Sequence, residues 1–287
     1  MGAHIDGYIS TTAHTVICTN HPEVATKGKK ADVICAAHYA GEAALRLLRP
    51  GNTNTQVTET ISKIGEIFRV NSVSGVLSHE LKKWVIDGEK VIISKTSTEQ
   101  QVEEFKFEEG EVYSIDIMMS SGEGKLGGSE LRTTVFKRNV EVNYSLKLQS
   151  SRKAFSFINK NYPTLPFSVR VLAEDPSMGT KALLGVKEML EHEMVYSYPV
   201  LQDKKDTFVA QFKFTVLILP TIIDKLNSFE LPFVSSEYSI EDPKINDLLA
   251  MGVKRSKKNK KKKKNKEEAK QEEGKQEERK EEDVQNK

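Results

Sequence analysis

Aromatic side chains make up only 7% of this 287-residue chain and include a single tryptophan, Trp84. Cysteine is scarcer still. Cys18 and Cys35 stand alone and show no Cys-x-x-Cys spacing, so neither a disulfide framework nor a cysteine-based zinc site is available. Two reduced thiols are expected. No apolar run approaches the ~18 residues needed to cross a bilayer, and MGAHIDGY lacks a basic-then-apolar leader pattern. Neither membrane insertion nor secretion is expected. The glycines of SSGEGKLGGS lack the GxxxxGK[ST] pattern and read as a hairpin loop, while Ser120 and Ser121 have no GxSxG context for a nucleophile.

Charge is abundant instead, and unevenly placed. From Lys254 to the end there are 15 Lys and Arg against 9 Asp and Glu, which leaves 28 against 32 for residues 1–253. The body is mildly acidic and carries a basic tail. Its densest part, KRSKKNKKKKKNK, contains Lys254, Arg255, Lys257, Lys258, Lys260, Lys261, Lys262, Lys263, Lys264 and Lys266. Like charges at that density cannot bury a core, so residues 254–287 are expected to be disordered alone. They are the candidate RNA-binding residues, acting by release of counterions from phosphate. With no aromatic side chain to stack on bases, the tail should read little sequence. A lysine run of this kind also fits a nuclear or nucleolar import signal.

The body reads as mixed helix and strand. HIDGYI places an Asp-Gly turn in a β-hairpin that continues through Thr15-Val16-Ile17. Lys30 to Leu48 is rich in strong helix formers and stops at Arg49-Pro50-Gly51. A second helix follows from about Thr55, with Val57, Ile61, Ile64 and Phe68 at helical spacing and Thr53 or Asn54 as its cap. Short strands are expected in VSGVLSH, VIDGEKVII, EVYSIDIMMSS and LRTTVFK, with an acidic connector from Glu99 to Glu109. Between Ser150 and Glu193 the pattern is helical, with Phe155, Ile158 and Tyr162 on one stripe and Leu183, Val186 and Leu190 on another. FVAQFKFTVLILP alternates Phe208, Ala210, Phe212, Phe214 and Val216 with Gln211, Lys213 and Thr215, a strand with one core face and one polar face.

HIDGYISTTAHT, ALRLLRPGNTNTQVTE, LSHELKKWVIDGEK, YSIDIMMSSGEGK and FVAQFKFTVLILP follow one another in the order and approximate spacing of the proliferation-associated proteins. The chain resembles that family over nearly its whole length, tail included. The family comprises eukaryotic relatives of type 2 methionine aminopeptidases and in animals includes the ErbB-receptor-binding protein. The resemblance implies an α+β pita-bread fold of the creatinase/methionine aminopeptidase type over residues 1–242, with a helical insertion at about 143–193, a short helix at 243–253 and the tail at 254–287. It also implies further residues before the position of Met1, so that the chain is N-terminally truncated relative to the family.

Active aminopeptidases of this fold hold two metal ions with two aspartates, a histidine and two glutamates, since hard divalent ions need bridging carboxylates to generate the attacking hydroxide. On the resemblance, the first aspartate would precede Met1. The second falls on Thr11, the histidine on His79, the first glutamate on Asp116 and the last glutamate on Lys213. Two unit charges about 4 Å apart interact by about 4 kcal/mol at an effective dielectric of ~20, so Lys213 would oppose metal entry. Lys213 is expected to pair with Asp116 in place of a metal, with no cofactor and no catalysis. The implied function is binding of RNA, ribosomal RNA and ribosomes, with regulatory proteins as further partners, in ribosome biogenesis, translation or growth control. The implied location is cytoplasm and nucleus, nucleolus included. The other reading is a metal-dependent methionine aminopeptidase-like hydrolase with degenerate ligands. His4, His14 and His38 are dispersed and are expected to be surface or packing residues.

Overall fold

The Asp-Gly step near the N-terminus turns the chain as its residue types require. Asp6 and Gly7 both have positive φ, 49° and 87°, as a two-residue type I′ hairpin turn demands, and they join β1 (Gly2–Ile5) to β2 (Tyr8–Thr11). A Cβ on Gly7 would lie 2.6 Å from indole atoms of Trp84, so the turn needs glycine for both conformation and space. Gly7→Ala is expected to cost about 1–2 kcal/mol in thermal unfolding. It should also displace Trp84, seen as a shift in tryptophan emission.

In this computed structural model the described residues are 1–96, 101–174, 181–228 and 230–254. Of the basic run only Lys254 is among them. Arg255 to Lys266, and with them the expected disorder of the tail, lie outside the described residues.

After β3 (Ala13–His14) and β4 (Thr26–Lys27), the chain forms α1 (Lys29–Leu47) and α2 (Asn54–Ile67). The α2 start has Thr53 as N-cap in a reciprocal capping box with Gln56. Next come β5 (Asn71–Ser72), β6 (Leu77–Glu80), β7 (Val91–Ile93) and β8 (Val112–Ser120). β9 (Gly127–Gly128) and β10 (Val135–Arg138) lead to α3 (Gln149–Asn161), β11 (Phe167–Ser168), α4 (Arg170–Ala173) and α5 (Ala182–Glu191). β12 (Val195–Tyr198) and β13 (Leu201–Gln202) precede β14 (Val209–Ile218), β15 (Ile223–Lys225), β16 (Val234–Ser235) and α6 (Pro243–Ala250).

Among the described residues the largest sheet runs β15-β14-β8-β6-β7, with β3 on β14 and β5 on β8. Antiparallel β8 and β14 are its centre, with Asp116 opposite Lys213 and Ile117 opposite Phe212. One face carries Tyr113, Ile115, Ile117 and Met119 from β8 and Phe212, Phe214 and Val216 from β14, all packed against α1 and α2. The alanine-rich α1 can lie this close because its contact stripe is small. A Cβ on Gly41 would already meet Phe214 at 3.1 Å. Each fully buried residue of Ile117's kind contributes about 2–3 kcal/mol.

Several expectations change. Thr15–Ile17 does not extend the hairpin, since Ala13 and His14 pair with β14 instead. VIDGEKVII is strand only at Val91–Ile93, and Gly127 and Gly128 pair with Gln202 and Leu201 rather than forming a simple hairpin loop. The insertion expected to be helical at about 143–193 is mixed: β10 lies between β11 and β12 in a three-stranded sheet. That sheet and α3–α5 enclose a second core around Phe136, Ile158, Phe167, Leu172, Val186 and Met189. Strands of two to four residues are too short to show an alternating period. The acidic connector hides Phe105 and Phe107, which pack into the main core beside Tyr113. Phe208, expected on the core face, is 37% exposed beneath Lys30. The last helix ends at Ala250, capped at its start by Asp242, and Lys254 bridges Ile222 rather than beginning a free tail. Among the described residues no helix is long and apolar enough to cross a membrane.

Candidate functional site

Alternation puts the polar residues of β8 and β14 on the face away from α1. Ser114 and Asp116 share that face with Gln211, Lys213 and Thr215. His79 of β6 lies opposite Ser114 and joins them, while β2 brings Thr11 over the same surface. The fold therefore gathers all four positions singled out in the sequence, from four different strands.

Asp116 is buried, and both of its carboxylate oxygens are engaged. Gln211 Nε2 donates to Oδ1 at 2.7 Å and Lys213 Nζ donates to Oδ2 at 3.0 Å. The backbone N–H of Asp116 donates to Ser78 Oγ at 2.8 Å. The expected Lys213–Asp116 pair forms directly across the strands, with the Lys213 side chain 23% exposed. Gln211 and Ser78 were not singled out by sequence reasoning. Gln211 alternates in register with Lys213, which could have pointed to it, but Ser78 has no comparable signal.

Thr11 is buried in a neutral network. Its hydroxyl lies 2.7 Å from Ser114 Oγ, its N–H donates to Thr215 Oγ1 at 2.8 Å, and that hydroxyl donates back to Thr11 O at 3.0 Å. Asn227 completes the set by accepting from Thr215 N and donating to Ser10 Oγ. These bonds give the buried hydroxyls of Thr11, Ser114 and Thr215 partners within the chain.

His79 is half-buried, its Nδ1 3.4 Å from Glu80 O. Burial and then the charge of Lys213 push its pKa below the ordinary 6.5, partly opposed by Asp87 and Asp116. Burial also lowers His14, helped by Lys225, and lowers His38 despite the opposing charge of Glu42. A histidine depressed in the folded state contributes stability that is full above its unfolded pKa and is lost as pH falls through that value towards the folded one. The thermal midpoint is therefore expected to drop between about pH 7 and pH 5. His79→Gln should make that drop shallower, and an identical pH profile for the variant would exclude a contribution from His79.

The donor set does not fit the pair of divalent ions that the resemblance implies for active relatives. A hydroxyl stands at one bridging position and a cation at another, and the remaining carboxylate already has two partners. Among the described residues no group of three or more His, Cys, Asp or Glu side chains is arranged to hold a metal. His4 packs at a tilt against Trp84, and His14 and His38 pack edge-on against Phe212.

No protein-family model matches the chain. It is 48% identical over 260 residues to proliferation-associated protein A of Dictyostelium discoideum, covering 90% of this chain and 66% of that protein. The chain thus spans just under two thirds of that relative's length. It is 39% identical over 266 residues to the curved DNA-binding protein of Schizosaccharomyces pombe, covering 91% of this chain and 68% of that one. Among solved structures, a thermophilic Arx1 is similar with a TM-score of 0.77 at 27% identity, over 87% of this chain and 72% of the other. Sequence identity over nine tenths of the chain, together with a sheet-and-helix architecture of the pita-bread type, shows that this chain belongs to the proliferation-associated protein family.

Proposed function

We propose that this chain is a non-catalytic member of its family that binds RNA, with ribosomal RNA and the ribosome as its principal partners, in ribosome biogenesis or translation. The observation that carries the non-catalytic part is the Lys213–Asp116 pair, which supplies from the chain itself the positive charge that an active relative takes from metal ions. The RNA part is supported by ten cations within thirteen residues at 254–266, and by a relative whose name records binding to curved DNA, another polyanion. The body is mildly acidic, so affinity for phosphate concentrates in the tail. A lysine run that doubles as an import signal fits work in both cytoplasm and nucleus, including the nucleolus. Regulatory proteins are further partners on this reading.

The test has two arms. The chain is titrated with a structured ribosomal RNA fragment at rising salt, and it is assayed for methionine release from short peptides with cobalt, manganese or zinc supplied. Salt-sensitive binding and no release are expected. Lys213→Glu alone should also release none, because Thr11 still lacks a carboxylate. Robust release by either chain favours the aminopeptidase reading, and failure to bind RNA at low salt removes the binding one.

A further inference from the structure

The basic run has no aromatic residue, yet four of the exposed aromatic rings of the body are linked by direct contacts between their segments. Tyr8 is 68% exposed, Trp84 38%, Tyr196 50% and Tyr198 43%. They are joined through the segment Lys82–Gly88. Trp84 N donates to Gly7 O at 2.9 Å, which ties this segment to the hairpin bearing Tyr8, and Lys83 Nζ lies 5.3 Å above the Tyr8 ring. Three residues on, Asp87 accepts from Lys137 Nζ at 2.6 and 2.7 Å. Lys137 stands directly across from Tyr196 on β12, and Val135 across from Tyr198. Phe136 and Val195 point into the second core, so alternation turns Tyr196, Tyr198, Val135 and Lys137 to the other face of that small sheet. Burial, and then the charge of Asp87, raises the phenol pKa of Tyr198. The strip therefore runs from the hairpin through Lys82–Gly88 to the insertion's sheet.

We infer that this strip is a stacking platform for single-stranded RNA, with Trp84, Tyr196 and Tyr198 taking successive bases and Lys83 beside their phosphates. Tyr196 and Tyr198, two residues apart on a strand, stand roughly 6.6 Å from each other, a span that unstacked neighbouring bases can bridge. Aromatic faces interleaved with lysines are the chemistry of base stacking and backbone neutralisation. Lys82 and Lys137 are offset by Glu80 and Asp87, so stacking rather than net charge dominates here. The tail then supplies salt-sensitive affinity and the strip supplies contact with bases. This inference rests on the RNA-binding reading above.

Trp84 is the only tryptophan of the chain, so its emission reports on the strip directly. The full chain is titrated with single-stranded oligouridylate of about ten nucleotides, at a salt concentration that screens the tail, with a duplex of the same length and a proline-rich peptide as comparisons. Oligouridylate should quench Trp84 and the duplex should not. Tyr196→Ala/Tyr198→Ala should weaken oligouridylate binding about tenfold or more, while Tyr196→Phe/Tyr198→Phe should bind normally, because stacking needs the ring and not the hydroxyl. Both positions are exposed, and circular dichroism checks that each variant is folded. Salt-sensitive binding with unchanged Trp84 emission and an indifferent alanine pair would overturn the platform and leave the tail reading standing. Quenching by the peptide but not by oligouridylate would assign the strip to protein partners and overturn the inference. Absence of RNA binding at any salt would remove both readings.

Discussion

A chain ending at Lys254 is expected to lose most of its salt-dependent affinity for RNA. Nine of the ten clustered cations lie beyond that residue. When 6–10 phosphates are neutralised, affinity falls by about 10³–10⁵ between 50 and 200 mM salt, and the logarithmic slope is about −0.7 per phosphate on a single strand. Truncation should therefore flatten the salt dependence almost completely and cost several orders of magnitude at low salt. The cut belongs after Lys254, because the backbone of that residue bridges Ile222 and Val253 accepts from Ile223 N. Removing them would damage the sheet edge as well as the tail. A second chain ending at Lys266 sharpens the test. It loses five cations and nine anions, so it should bind RNA at least as tightly as the full chain. Filter binding or anisotropy over a salt series reads both variants, and unchanged ribosome association of the shorter chain would move the activity to the body.

The second large effect lies in the cleft. Asp116→Ala is expected to destabilise the fold by about 3 kcal/mol, because it leaves a mostly buried ammonium without its counter-charge. It also removes the acceptor for Gln211 Nε2. Asp116→Ala/Lys213→Met should recover most of that loss, since replacing both members of a buried ion pair by apolar groups is often neutral. Denaturant unfolding of the two single variants and the double gives the coupling between them. A double variant as unstable as Asp116→Ala would mean that the Asp116 side chain matters chiefly through its bond to Gln211, not through the charge of Lys213.

Much of the scaffold is legible in one dimension. α1 is marked by its helix formers and the Arg49-Pro50-Gly51 stop, α2 by Thr53 and a helical apolar stripe, and β8 and β14 by runs long enough to show their character. The polar face of β14 already separates Gln211, Lys213 and Thr215 from the core. What escaped are features made by distant partners. Phe105 and Phe107 sit in a segment whose glutamates suggest solvent, yet they are placed against Tyr113 by the fold. The small sheet of the insertion has strands of two to four residues, too short to carry a period. Asn227 contacts Ser10 from 217 positions away, and nothing local in its sequence marks it.

The same division applies to the basic tail and the cleft. Composition alone determines that residues 254–266 are strongly cationic and lack stacking groups, because charge density and the absence of aromatics are additive properties needing no partner. The substitutions at Thr11 and Lys213 are equally visible in the chain by resemblance. Only the tertiary structure decided that Lys213 meets Asp116 at 3.0 Å, that Gln211 takes the other oxygen, and that Asp87, three residues from Trp84, meets Lys137 across from Tyr196. Those facts depend on strand register and on contacts between residues tens to hundreds of positions apart, where a shift of one residue would turn each side chain to the opposite face.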